Sequence, residues 1–384
     1  MMSVSVATKV FLISTSAIPI SYLLNRFIEK TGLTQPLLIV FLCHIIGILI
    51  FSLIVKCTKH SLHKNNEYLF YTFALICFIS VSSLIIALEL EGLISGFTNS
   101  FLKHVEPHLR SSFGAMICHW NGIVAYALAL MIVAAITTSN DFIDILCYWL
   151  GSWVNNSLVL LLGIMIGKTG PGWGILMYLP YIILPCYIAY RVLKSSKSTK
   201  NQAIEIEVKT SIWKRPLDMS LCFIFTLSCF IAILRGLAVL DSPIWLCKIY
   251  GKQIEPYLVS STLAPFAKIQ MILYLFYYLP FYLFAIYHLI CCSHQEMTKL
   301  SAFFAGAASS AQFTHIGSSF HSRTPYILRV SSDFSALLFF WLVNLTLLVG
   351  PVLLAFRCAV EETTEYPDGY IEKVFARKKI VKQS

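Results

Sequence analysis

The sequence predicts an all-α polytopic membrane protein. About ten transmembrane helices are expected, as an N-terminal two-helix hairpin followed by two tandem four-helix units. Three observations predict this. Of 384 residues, 57% are hydrophobic and only 12% charged, against about 25% charged in an ordinary soluble domain, and the mean hydropathy is +0.74. Apolar stretches near the roughly 20 residues that cross a bilayer recur along the whole chain. The basic residues gather in the polar stretches between them, as a topology signal does. That placement sets nucleic acid aside as the partner that a net charge of +10 would otherwise suggest.

The first span, residues 8–25, is the weakest, because Ser, Thr and Pro19 interrupt it. It follows a single Lys and shows no small-residue cleavage site, so it is expected to stay in the protein rather than act as a removed signal peptide. Residues 36–56 form an uninterrupted apolar run. Residues 68–90 end in acid, at Glu89 and Glu91. Residues 115–137 and 143–166 follow, and 173–192 close on Arg191. Residues 218–239 end near Asp241. Residues 265–290 are long enough to tilt or kink, with Pro280 as a cause. Residues 299–322 are rich in small and polar side chains, and 334–357 close on Arg357.

Counting Lys and Arg on the two sides places both termini, and the loops after the second, fourth, sixth and eighth spans, in the cytosol. The loop "RVLKSSKSTKNQAIEIEVKTSIWKR" alone supplies seven of the 29 Lys and Arg. It also divides the chain. "VEPHL" (105–109) returns as "IEPYL" (254–258), each after a span that ends in acid, and "LPCYIAYR" (184–191) answers "GPVLLAFR" (350–357). In Glu-Pro the proline suits the first turn of a helix and keeps the residue before it extended. Three matches in the same order predict an internal duplication. The expected parts are a hairpin over 1–66, a first unit over 67–193, a basic cytosolic linker over 194–216, a second unit over 217–358 and a cytosolic tail over 359–384.

The stretches "LELEGLISGF" (88–97), "EPHL", "ICHWNG" (117–122), "IGKTG" (166–170), "LDSPI" (240–244), "KIQMILYLFYYLP" (268–280) and "AQFTHIGSSFHSRTPYILRV" (311–330) together resemble the transmembrane 6 superfamily. The resemblance implies ten helices with two copies of the EXPERA module shared with emopamil-binding sterol isomerases and the sigma-2 receptor. It implies an endomembrane setting, the endoplasmic reticulum or a related compartment, and a part in lipid handling. No reaction is firmly assigned to the family. This chain departs from it where Trp-Asp-Gly is usual: it has Trp120-Asn121-Gly122, and Ala125 stands where a His commonly follows.

Candidate site residues come from polar groups in apolar surroundings. Seven small residues in a row, Ala305 to Ala311, allow helix backbones to approach closely in lipid. Gln312, His315 and Ser319 follow on one helical face. They form either a pocket wall that bonds the single polar group of a lipid such as a sterol, or interhelical glue. His119 and Asn121 at the start of the fourth span are candidates for the same role in the first unit, with packing as the alternative. Tyr274 and Tyr278 offer a lipid pocket flat apolar faces with a polar tip, with packing as the alternative, and Gln270 precedes them as a further pocket candidate. Glu91 and Asp241 are either exposed helix ends or groups that close a pocket. His321 and Arg323 are expected to cap their helix or meet headgroups. His315 and His321 point to different faces and lack a completing ligand, so no metal is expected, and no cofactor. The 12 cysteines show no Cys-x-x-Cys and mostly lie in apolar segments, as free thiols do; Cys57, Cys291, Cys292 and Cys358 border spans on the cytosolic side, where palmitoylation is possible and plain thiols are the alternative. The sequons at Asn155 and Asn344 fall inside spans, out of reach of glycosylation.

The expected function is binding or transfer of sterol or neutral lipid, with membrane lipid as partner. The alternative is a sterol isomerase-like membrane enzyme. That chemistry needs an acid–base pair within the hydrocarbon layer, and every Asp and Glu falls in a loop, in the tail or near a span end. Enzymatic activity is therefore not expected.

Overall fold

The structure, a computed structural model, describes residues 5–58, 66–167, 172–178, 183, 186–190, 212–259, 265–291 and 297–365, with the side chains of 361–365 excepted. Its elements are helical, and no strand occurs among the described residues. Among the described residues, nine long helices organise it: α1 (Val6–Thr31), α2 (Pro36–Thr58), α3 (Glu67–Leu90), α4 (Ser112–Thr138), α5 (Ile143–Ile166), α6 (Pro216–Val239), α7 (Phe266–Cys291), α8 (Thr298–Phe320) and α9 (Phe334–Glu365). Eight of them are long and apolar enough to cross a membrane, and α8 has the length without the apolarity. The chain is an all-α, multi-pass membrane protein.

The first span runs further than expected. Ser5 caps it by accepting from the Thr8 N–H at 3.1 Å, and Gly32 ends it with φ +65°, a left-handed turn that suits glycine. It bends at Ser16. There Ser14, Thr15 and Ser16 turn their hydroxyls back onto the carbonyls of Phe11, Leu12 and Ile13, a pattern that bends helices, and Pro19 withholds a backbone donor just beyond. Lys9 Nζ reaches the Cys57 carbonyl at 3.4 Å, so α1 and α2 form an antiparallel hairpin. Buried Asn25 ties that hairpin to the loop after α3, donating to the Gly96 carbonyl and accepting from the Ser100 N–H, each at 2.9 Å.

The expected sixth span, 173–192, is described only in part, at 173–178, 183 and 186–190. Its start is a correction: Trp173–Tyr178 is a 3-10 turn, not α-helix. A short segment between Gly172 and Pro180 suits that tighter winding. Gly174 packs there so closely that an added Cβ would stand 2.3 Å from the Val105 carbonyl oxygen. Pro185, Arg191, Cys292, most of the basic linker and the tail beyond 365 also lie outside the described residues.

Two of the nine long helices carry a single π-turn, Asn121–Ala125 in α4 and Tyr274–Tyr278 in α7. The second sits just before Pro280, whose missing N–H and bulky ring disturb the helical ladder one turn back.

α8 occupies the centre. It packs along α5 of the first half as well as α9 of the second. A Cβ on Gly306 would lie 1.9 Å from the Tyr148 carbonyl oxygen, and one on Gly151 would lie 1.7 Å from that of Phe303. The small-residue stretch is therefore the seam along which the halves join, with helix backbones in contact.

Candidate functional site

Gln312 and His315 of α8 look into the second half. Gln312 Nε2 donates to the Tyr274 hydroxyl at 2.6 Å. His315 Nε2 stands 3.4 Å from Glu255 Oε1, and its ring meets Phe340 at 6.3 Å between centroids. Ser319 does not reach across; its hydroxyl donates to the His315 carbonyl at 2.8 Å.

Glu255 comes from the loop after α6, and it is only 1% exposed. It is buried because Arg235 of α6, with no exposed surface at all, pairs with it through Nη2. Arg235 also donates to the Tyr250 hydroxyl at 2.8 Å and to Asn344 Oδ1 at 2.9 Å. Asn344 Nδ2 in turn donates to Glu255 Oε1 at 3.1 Å. Burial pushes the Glu255 carboxyl up, but the guanidinium of Arg235 and the imidazole of His315 pull it down further, so it is an anion. The result is a buried cluster of Arg235, Tyr250, Glu255, His315 and Asn344, with Gln312 and Tyr274 beside it. Four buried atoms here have no hydrogen-bond partner: Arg235 Nη1, Glu255 Oε2, Gln312 Oε1 and His315 Nδ1. Buried polar groups are nearly always satisfied, so such a concentration is unusual.

A groove of about 930 Å³ opens beside this cluster. Ile254 and Pro256, the two neighbours of Glu255, line it together with Phe339, which packs edge-on against Tyr250 at 6.4 Å.

Gln270 and Tyr278 belong to a second group. Gln270 and Asn155 exchange amide hydrogen bonds at 3.1 Å each way, and the Tyr278 hydroxyl donates to Asn155 Oδ1 at 2.9 Å. Tyr274 stacks on Tyr278 at 4.6 Å. Asn155 also approaches Ser310 and Asn156, and Asn156 donates to Asn121 Oδ1 at 3.4 Å. Asn121 is thus linked, through three amides, to the second half. Asn155 and Asn344 are both fully buried, in keeping with the dismissal of their sequons.

A third group sits at the end of the bundle. Glu91 Oε1 receives His321 at 2.7 Å and His119 at 3.3 Å, and Arg323 donates to the Leu90 carbonyl. Asp241 joins none of these. It is exposed and holds φ +55° at the end of α6, where it terminates the helix.

The first half has its own buried acid. Glu106, 1% exposed, lies 2.5 Å from His108 Nε2 and accepts from the Tyr178 hydroxyl at 2.6 Å. Glu106 and Glu255 hold matching places in the repeated Glu-Pro. Both acids lie in loops, as the sequence places them, but the loops after α3 and α6 fold inward and bring each against a histidine. No group of three or more metal-binding side chains occurs among the described residues.

The chain is 37% identical over 350 residues to mouse "Transmembrane 6 superfamily member 2", covering 90% of each chain. It is 35% identical over 362 residues to the human protein of that name, covering 92% of each. The chain belongs to the transmembrane 6 superfamily. A family model described as "Transmembrane 6 superfamily member 2-like, transmembrane domain" matches residues 16–203. No solved structure matches this superfamily chain.

Arg235, Glu255 and Asn344 escaped the sequence reading. Arg235 lies inside the expected span 218–239, and a charge inside an apolar run is itself a signal. The repeated Glu-Pro marks a helix start, and nothing in its spacing shows that its acid turns inward.

Proposed function

We propose that this protein handles lipid in the endoplasmic reticulum or a related endomembrane, binding sterol or neutral lipid or helping to transfer it, through two tandem EXPERA-like units. The second unit holds the working site, near Gln312 and His315. One observation carries this reading: donors and acceptors left unmet on Arg235, Glu255, Gln312 and His315 lie together in an apolar interior. A lipid with one hydroxyl or ester presents the small polar group that such a set can satisfy. An unmet buried group costs about 1–3 kcal/mol, which a bound lipid would recover. The family membership supports the reading by the resemblance described above.

The sterol isomerase-like alternative draws on the carboxylate–histidine pairs Glu255–His315 and Glu106–His108. Against it, Arg235 holds Glu255 ionised, and a carboxylate locked to a guanidinium is a poor proton donor. Lipids retained by the purified protein, identified by mass spectrometry, test the main reading. Enrichment of sterol or neutral lipid over the surrounding membrane is expected; bulk composition would contradict it. Restored sterol isomerisation in cells that lack the isomerase would favour the alternative.

A further inference from the structure

The groove beside Ile254 and Pro256 has a composition of its own. Lys252 and Arg329 line it with Asp333, among the aromatic rings of Phe320, Tyr326 and Phe339. Its walls are the end of α8, the start of α9 and the loop before α7, so it lies at the depth where helices leave the hydrocarbon layer. Beside it Tyr326 is 80% exposed, Ile327 82% and Phe334 77%. Large apolar side chains left bare at helix ends belong in the interfacial layer of a bilayer. The groove therefore faces lipid headgroups.

From this charge pattern we propose that the groove is a binding site for the headgroup of a zwitterionic bilayer phospholipid. Lys252 and Arg329 take the phosphate, and Asp333 with the aromatic rings takes the quaternary ammonium or amine. Arg329 is already fixed, donating from Nε to the Thr324 carbonyl at 2.8 Å and from Nη2 to the Ser322 carbonyl at 2.7 Å. A guanidinium has five donors, so N–H groups remain for a phosphate, pre-oriented. Lys252 is exposed and makes no side-chain hydrogen bond among the described residues. Asp333 is an anion, because the Ser335 hydroxyl and the Ala336 N–H donate to it and hold its carboxyl below the ordinary value. Cations are drawn to aromatic faces, and three rings in one groove with a carboxylate suit a trimethylammonium group. The proposal goes beyond the buried sterol or neutral-lipid site and does not depend on what fills it.

The test uses the full chain in nanodiscs of defined composition, with phosphatidylcholine, phosphatidylglycerol and diacylglycerol as competing probes and native mass spectrometry as the readout. Phosphatidylcholine should be retained over diacylglycerol by roughly tenfold, as expected for two cations near a phosphate. Lys252→Glu should abolish that preference. Asp333→Asn keeps a good helix cap and removes the anion, so it should shift preference toward phosphatidylglycerol. Sterol labelling should be unchanged in both variants, which separates this site from the buried one. Equal retention of phosphatidylcholine and diacylglycerol, or a Lys252→Glu variant with unaltered preference, would overturn the proposal. Displacement of the lipid by millimolar inorganic phosphate would reduce the groove to an anion site and would overturn it too.

Discussion

Glu255 shows how much one loop residue can decide. Arg235, Asn344 and His315 all converge on its Oε1, and neither Arg235 nor Glu255 can be removed without leaving the other charge buried and unpaired. Breaking such a pair costs about 3–5 kcal/mol. Glu255→Gln should therefore lower the thermal midpoint and the yield of the detergent-purified protein sharply, while an unchanged midpoint would mean that the pair is solvated. Glu91 behaves differently because it is partly open to water. Burial raises its carboxyl, but hydrogen bonds and charge from His321 and His119 outweigh that and hold it below its ordinary value. A depressed carboxyl contributes stability that is full above the unfolded value and is lost as pH falls through the folded one. Acid below the ordinary Glu range, about pH 4.3, should thus loosen the junction of α3, α4 and α8, and Glu91→Gln should remove that acid step. A melting curve against pH that is identical for both proteins would show that the junction contributes nothing.

Among the helices, α8 departs furthest from a lipid-facing span. Its small residues were legible as a close-packing surface, and the structure makes that surface the seam between halves. Gly306→Ala decides the point by its sign. On an ordinary helix Ala stabilises relative to Gly, whereas here the methyl would meet the Tyr148 carbonyl oxygen at 1.9 Å. Overpacking of this kind costs about 1–3 kcal/mol, so the melting midpoint should fall; a rise would show that the helices can part. The helices themselves were readable from apolar run length, since hydrocarbon thickness fixes that length directly. Their irregular parts were not. The break at Ser16 goes with hydroxyl back-bonding and the π-turn at Tyr274 with Pro280, and neither has a period in the sequence. The site was half legible for the same reason. Gln312 and His315 stand out in an apolar helix, but their partners Glu255 and Asn344 come from a loop and from another span, and spacing along the chain does not reveal which loops fold inward.

At the scale of the whole molecule, the two halves of the chain meet along α8, and the proposed lipid site lies on the side of the second. Contacts from Lys9 to Cys57 and from Arg215 to Leu289 join helix ends assigned to the cytosolic side by the basic residues. Protease added to sealed microsomes should then remove tags from both termini, and a C-terminal tag protected until detergent is added would reverse the orientation. The central claim is that His315 and Gln312 face a lipid. His315→Phe removes the imidazole at similar volume and leaves Glu255 still held by Arg235 and Asn344, so the fold should survive. The direct measurement is photo-crosslinking of a sterol probe to the wild type, to His315→Phe and to His119→Phe at matched abundance. Labelling should fall strongly in His315→Phe and much less in His119→Phe. Undiminished labelling of the surviving His315→Phe protein would contradict the claim and make His315 a packing residue of the seam.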